Sequence, residues 1–250
     1  MKLDNAAIIS MRTSSTRLPN KSLVNITDEK KSIDIIIERA KLTGFPVILA
    51  TSIDKSDNQI VEIAKKHNID VFRGSLLNKI KRWNDCFEQY GIQNALLIDG
   101  DDLCYDYNIA KNSMNDLQLL KSDIIWCPDE IITGLFTIAI TKNAIKKLYS
   151  YMPNDNSDTD IFTHFFKKVN LKISYVKLKK NQKNKEIRLT LDYDKDLLFF
   201  QELYKHLSIT ETGDNIIKFI LENPKIANIN YQCQLDFLEN KKLKMGDNVE

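Results

Sequence analysis

Short apolar runs alternate with segments of helical periodicity along most of this chain, and that alternation leaves few folds open. The runs AAIIS (6–10), FPVILAT (45–51), NALLIDG (94–100), DIIWCP (123–128) and LFTIAIT (135–141) have strand length. Between them, SIDIIIERAKLTG and NQIVEIAKKHN place apolar residues at helical spacing. Strands that are apolar throughout, joined by amphipathic helices, predict an α/β fold whose mainly parallel sheet is covered on both faces. Further on, the alternating IRLTLD predicts another strand, and DLLFFQELYKHL an amphipathic helix. Gly44, Gly91 and Gly100 stand where helices or strands should stop. No internal repeat recurs at a fixed period, which excludes a solenoid.

A length of 250 residues fits one domain, residues 1–250, with a helical C-terminal extension from about residue 205. Lys plus Arg total 36 against 34 Asp plus Glu, so the chain lacks the basic excess that nucleic-acid binding through phosphate neutralisation requires. No apolar stretch approaches the ~20 residues of a membrane span, and the N-terminus lacks a signal-like apolar core. Cys86, Cys104, Cys127 and Cys233 form no CxxC pair and read as reduced thiols, which together predicts a cytoplasmic protein without nucleic-acid or membrane partners. The polar stretch from Ser150 to Asp160 reads as a lid or a dimerisation arm.

The first chemically pointed segment is SMRTSSTRLPNKSL, from Ser10 to Leu23. It follows a predicted strand and carries Arg12, Arg17 and Lys21 among hydroxyl residues. Ligands of open α/β sheets bind beyond the strand ends, and guanidinium groups pair with phosphate through two bonds, so three cations here suit a polyphosphate. A solvated basic loop has the same composition. The second segment, LLIDGDDLCYD, delivers Asp99, Asp101 and Asp102 together at a strand end, where clustered carboxylates call for a cation such as Mg²⁺. The third, EIRLTLDYDKDLLFF, brings Asp192, with Asp194 as a possible assistant, while Asp196 reads as a residue favoured by a helix N-terminus.

RTSSTRLPNKSL resembles the first motif of the SpsF-type cytidylyltransferases, relatives of the 3-deoxy-manno-octulosonate and acylneuraminate cytidylyltransferases. The match covers Arg12, Ser15, Thr16, Arg17, Leu18, Pro19, Lys21 and Leu23. Met11 stands where the family has alanine, and Asn20 where it has glycine; asparagine tolerates positive φ better than most residues. The resemblance continues at ILATSIDKSDNQIVEIAKKHNIDVFRGSLLNKIKRW, and it implies that Ala50, Ser52, Arg73, Ser75 and Arg82 contact or frame the nucleotide. Arg73 and Arg82 also read as surface arginines beside a helix. LLIDGDDLCYD is similar to the family's GDxPL segment, implying Asp101 as a metal ligand, with Asp102 and Leu103 as departures. EIRLTLDYDKDL is similar to its RLTvDtpxDL block, implying Asp192 as the second ligand.

His67 lies at a helix end, and no catalytic role is assigned to it, to His164 or to His206. DIFTHFF falls where the family often has an EHVTPYF-like stretch, but the family's histidine aligns with Ile161 rather than His164. Gly134 and Phe136 either shape an acceptor pocket or belong to a buried strand with a glycine bulge.

The resemblance implies a three-layer nucleotide-diphospho-sugar transferase (GT-A-like) architecture. It implies a Mg²⁺-dependent transfer of CMP from CTP to an anionic acceptor, a nonulosonic or octulosonic sugar acid for surface polysaccharide, with Arg12, Lys21 and Asp101 in catalytic roles and pairing into a homodimer. Two rival readings are a GT-A-type glycosyltransferase, which would not need the RxxSTRLPxK loop, and a catalytically silent nucleotide-binding relative.

Overall fold

The computed structural model describes residues 2–15, 17–152, 154, 159, 165–166 and 168–246, with side chains as far as residue 240. Thr16, Ile161, His164 and most of the 150–160 loop lie outside the described residues. The chain runs β1 (Asn5–Ser10), α1 (Ser32–Lys41), β2 (Val47–Ser52), α2 (Asn58–Lys66), β3 (Asp70–Gly74), α3 (Lys79–Tyr90) and β4 (Asn94–Asp99). It continues through α4 (Tyr107–Leu119), β5 (Ile124–Trp126), β6 (Ile138–Thr141), α5 (Lys142–Ser150) and β7 (Ile173–Tyr175). Helices α6 (Asp194–Leu203), α7 (Gly213–Glu222), α8 (Pro224–Ala227) and α9 (Tyr231–Gly246) follow.

The strands form one sheet in the order β3-β2-β1-β4-β6-β5-β7, with β6 antiparallel to both its neighbours and the other pairings parallel. Each central strand feeds both faces. Ala7 and Ile9 join one core with Ile33, Ile36 and Ile37 of α1 and Met114 and Leu117 of α4. Ala6 and Ile8 join the other with Trp83 and Phe87 of α3 and Ile145 and Leu148 of α5. This is why the strands read as unbroken apolar runs, and it gives the expected three-layer α/β fold. Ile216, Ile217 and Ile220 of α7 pack into the first of these cores, and Arg39 of α1, fully buried, donates to the carbonyls of Ile209 (2.8 Å), Glu211 (2.9 Å) and Tyr105 (2.6 Å). Among the described residues no helix is long and apolar enough to cross a membrane.

Parallel registers bring Ser10, Ala50, Ser52, Gly74 and Asp99 to one edge, so the loops after β1, β2, β3 and β4 emerge side by side. Strand β3 is an edge strand with a mostly half-exposed side-chain pattern, so it has no apolar run to announce it.

Two expectations change. IRLTLD is extended but forms only one isolated bridge, Thr133 with Arg188. Its backbone bonds go in two directions, from Leu189 N to Thr133 O (2.8 Å) and from Leu191 N to Asp101 O (2.9 Å), so no continuous ladder builds. Gly134 lies in the turn before β6 rather than in a strand bulge. Its φ is 81°, and a Cβ there would stand 2.5 Å from the Leu189 carbonyl oxygen. Gly134→Ala should therefore cost about 2–4 kcal/mol through left-handed strain and collision with backbone. Chemical denaturation of the variant beside the wild type measures this; a loss below about 0.5 kcal/mol, typical of neutral surface changes, would contradict the close approach.

Candidate active site

The β1 loop leaves the sheet at Met11, which is buried against Gly100, and turns at Asn20 with φ 55°. Asparagine thus takes the left-handed conformation expected of it and starts the short 3₁₀ turn Lys21–Leu23. Lys21 Nζ donates to Asp101 Oδ2 (2.6 Å) and to Asp192 Oδ1 (2.8 Å), drawing three distant segments onto one ammonium. Burial opposes the charge on Lys21, but the two carboxylates outweigh it and hold its pKa above the ordinary value. Burial likewise pushes the Asp101 carboxyl up, and Lys21 more than reverses it. Asp102 moves the other way: burial first, then the charges of Asp101 and Asp99, raise it well above the usual carboxylate range.

Asp192 is nearly buried and collects cations. Arg17 Nη2 lies 2.7 Å from the Oδ1 that also accepts from Lys21, and Arg188 Nη2 donates to Oδ2 at 3.0 Å. Arg17 remains half-exposed and lies over the Tyr193 ring, 5.5 Å from its centroid. On the α3 side of the β4 end, Lys79 Nζ pairs with Asp99 Oδ1 and lies over the Trp83 ring. Asp194 is exposed in the first turn of α6, whereas Asp196 is fully buried. Four carboxylates from two segments, Asp99, Asp101, Asp102 and Asp192, and the four cations Arg17, Lys21, Lys79 and Arg188 thus gather beyond the strand ends, an arrangement suited to holding a polyanion and a divalent cation.

The residues expected to frame the nucleotide lie at the ends of β2 and β3, in the loop after β3 and on α3. Ala50 and Ser52 are fully buried at the end of β2. Arg73 donates to Ser52 O (2.9 Å), Asn58 Oδ1 (2.7 Å) and Asp54 O (2.6 Å), pinning the loop after β2. Arg82 is buried rather than on the surface, and its Nη1 donates to Ser75 O (2.7 Å). Arg12 Nη1 reaches across to Leu76 O (2.5 Å), next to Ser75, whose hydroxyl accepts from Asn78 N (3.1 Å). Ser15 Oγ accepts from Leu18 N (3.4 Å) inside its own loop. His67, just past α2, pairs with Asp34 (2.7 Å), away from these groups.

Two buried residues brace the site without belonging to the motif positions singled out in the sequence, Asp57 and Arg188. Asp57, within the ILATSIDKSDNQIV stretch, accepts at Oδ1 from Thr13 N and Thr13 Oγ1, both 2.8 Å. Its Oδ2 accepts from Thr51 Oγ1 (2.8 Å), Ser52 N (3.1 Å) and Ser52 Oγ (2.5 Å). Burial pushes its pKa up, but the Ser52 and Thr13 donors prevail and hold it below the ordinary value. Arg188 shares the face of Thr190 and Asp192 in the alternating IRLTLD, a period-two signal present in the sequence.

Similarity to known proteins identifies the family and the fold. A family model described as "Cytidylyltransferase" matches residues 6–245. An uncharacterised protein of Methanocaldococcus jannaschii is 31% identical over 228 residues, covering 89% of this chain and 93% of its own. Among solved structures, a cytidylyltransferase from Leptospira borgpetersenii superposes with a TM-score of 0.80 at 25% identity, covering 90% of this chain and 97% of its own. A CMP:2-keto-3-deoxy-manno-octonic acid synthetase complexed with CTP gives 0.61 at 12% identity, over 81% and 98% of the respective chains, a likeness of fold.

Because the native pKa of Asp57 is depressed, its contribution to stability is present above the unfolded pKa of about 4 and is lost as pH falls through the native value. Asp57→Asn should lose about 2–3 kcal/mol at neutral pH, and its deficit against wild type should shrink as pH falls below about 4. Denaturant titrations on both sides of that pH check it; a deficit independent of pH would contradict the charged, hydrogen-bonded role.

Proposed function

The chain belongs to the cytidylyltransferase family and is a nucleotidyltransferase, and from that premise we propose that it transfers CMP from CTP to a sugar acid of the nonulosonic or octulosonic kind. The observation that carries the reading is the convergence of Lys21, Arg17, Asp101 and Asp192 beyond the strand ends. The acceptor's hydroxyl oxygen attacks the α-phosphorus of CTP in line and gives up its proton to water, the bond from that phosphorus to the bridging oxygen breaks, and pyrophosphate leaves with the electron pair. Such a displacement asks chiefly for positioning and charge neutralisation.

Arg12, Arg17 and Lys21 hold the β- and γ-phosphates and neutralise the leaving pyrophosphate. Ala50 and Ser52 form the buried floor of the nucleotide pocket. Arg73, Ser75 and Arg82 act by fixing the loops around it, which their bonds to the backbone of Ser52, Asp54, Ser75 and Asn78 support. Among the described residues no three His, Cys, Asp or Glu side chains form a ready-made metal cage. Asp101 and Asp192 nevertheless offer hard oxygens to one shared cation position, which fits Mg²⁺, an ion that commonly takes one or two carboxylates and completes its shell with water and phosphate. When bound, Mg²⁺ supplies charge neutralisation at the α-phosphate and a lowered pKa for the acceptor hydroxyl.

The departures from the family motif are accommodated: Met11 and Leu103 are buried, and Asn20 adopts the conformation a glycine would supply. This favours an active enzyme over a silent relative. The proposed enzyme works in the cytoplasm as a homodimer and supplies a CMP-sugar for surface polysaccharide.

Pyrophosphate release with each nucleoside triphosphate and Mg²⁺, across a panel of sugar acids, tests the reading. CTP should be the productive nucleotide, Asp101→Ala should abolish release, and Lys21→Ala should lower kcat/KM by about 10²–10³-fold. Absence of CTP-dependent release with every acceptor, together with absence of CTP binding, would overturn it.

A further inference from the structure

Asp192 is held from behind by a chain of contacts that ends in the C-terminal helix. Arg188 is fully buried, and its guanidinium forks between two carboxylates. Nε donates to Asp196 Oδ1 (2.9 Å), and Nη2 donates to Asp196 Oδ2 (3.2 Å) and Asp192 Oδ2 (3.0 Å). Asp196 Oδ2 also accepts the backbone N–H of Asp192 (2.9 Å) and of Tyr193 (3.0 Å). One carboxylate therefore fixes the main chain at Asp192 directly and its side chain through Arg188.

Asn230, immediately before α9, completes the chain. It is buried, and its Nδ2 donates to Asp196 Oδ1 (2.9 Å) and to Arg188 O (3.2 Å). The Phe237 ring of α9 and the Tyr193 ring lie 5.6 and 5.8 Å from Arg188 Cζ. A second α9 residue, Gln234, binds elsewhere: its Nε2 donates to Lys185 O (2.7 Å) and Thr133 Oγ1 (3.0 Å).

Desolvation of a fully buried ion pair consumes most or all of its attraction, so an apolar filling of the same space would stabilise the fold as well. What the Arg188–Asp196 pair supplies that an apolar filling cannot is a directed bond to Asp192. We infer that Arg188, Asp196 and Asn230 are positioning residues for Asp192, and that α9, through Asn230, is a working part of the active centre. The inference rests on the reading of Asp192 as a carboxylate of the nucleotide–metal site. The relay keeps Asp192 Oδ1 turned toward Arg17 and Lys21 by occupying Oδ2, so loosening it weakens Mg²⁺-dependent nucleotide binding without touching either ligand.

The test is calorimetric titration of CTP into the full-length protein over a range of Mg²⁺ concentrations, with Tm measured alongside, for wild type, Asn230→Ala, Arg188→Lys and Gln234→Ala. Asn230→Ala should raise the half-saturating Mg²⁺ concentration about tenfold, as loss of an outer partner of a metal ligand does. Arg188→Lys, which keeps the charge but not the fork, should do the same and serves if Asn230→Ala fails to fold. Gln234→Ala should lower Tm and leave the Mg²⁺ dependence unchanged. Equal losses of Tm in Asn230→Ala and Gln234→Ala, with the half-saturating Mg²⁺ unmoved in Asn230→Ala and Arg188→Lys, would overturn the inference alone. Absence of Mg²⁺-dependent CTP binding in the wild type would overturn the nucleotide reading and this inference with it.

Discussion

A single ammonium group, Lys21 Nζ, stands between two carboxylates that come from segments far apart in the chain. Without a cation there, Asp101 and Asp192 would face each other across a poorly solvated gap, with Asp99 and Asp102 close by, and the repulsion would push the loops apart. With it, the β1 loop, the β4 end and the segment before α6 are joined at one point. The proposed reaction uses the same groups in another pairing, since a triphosphate takes the cations and a divalent ion takes the carboxylates. The groups therefore neutralise one another before the ligands arrive and exchange partners afterwards, so the charges of an active centre can sit together without unfolding it.

The surrounding structure repeats one device. Asp57 and Asp196 are both buried carboxylates without a catalytic assignment, and each gathers donors from separate segments. Asp57 ties Thr13 of the β1 loop to Thr51 and Ser52 at the end of β2. Asp196 ties the backbone of Asp192 and Tyr193 to Arg188 and Asn230. A buried carboxylate is tolerated only when its oxygens are fully engaged, and full engagement is what makes it a rigid joint. The nucleotide-binding loop and the second acidic segment each rest on one such joint.

The sheet was legible because burial on both faces makes each central strand a continuous apolar run, and the motif cations were legible because three of them follow one strand closely. What escaped had physical reasons. Strands β3 and β7 are short and incompletely buried, so neither carries the periodicity that marks the centre of the sheet. IRLTLD alternates as a strand does, but the alternation serves a lone extended segment whose polar face is the site. Asp57 and Asn230 look like loop residues because their value lies in partners that only the tertiary fold brings near. Arg82, expected on the surface beside a helix, lies within α3 on its buried face, where its Nη1 donates to Ser75 O, a partner that only the fold reveals.

The claim that Lys21 occupies the position a divalent ion would take is tested most directly by Mn²⁺ binding in the absence of nucleotide, followed by electron paramagnetic resonance in wild type and in Lys21→Met. Removing the ammonium leaves two facing carboxylates without their counter-charge, so Mn²⁺ should bind the variant more tightly than the wild type. Equal or weaker Mn²⁺ binding by a folded Lys21→Met protein would contradict the account.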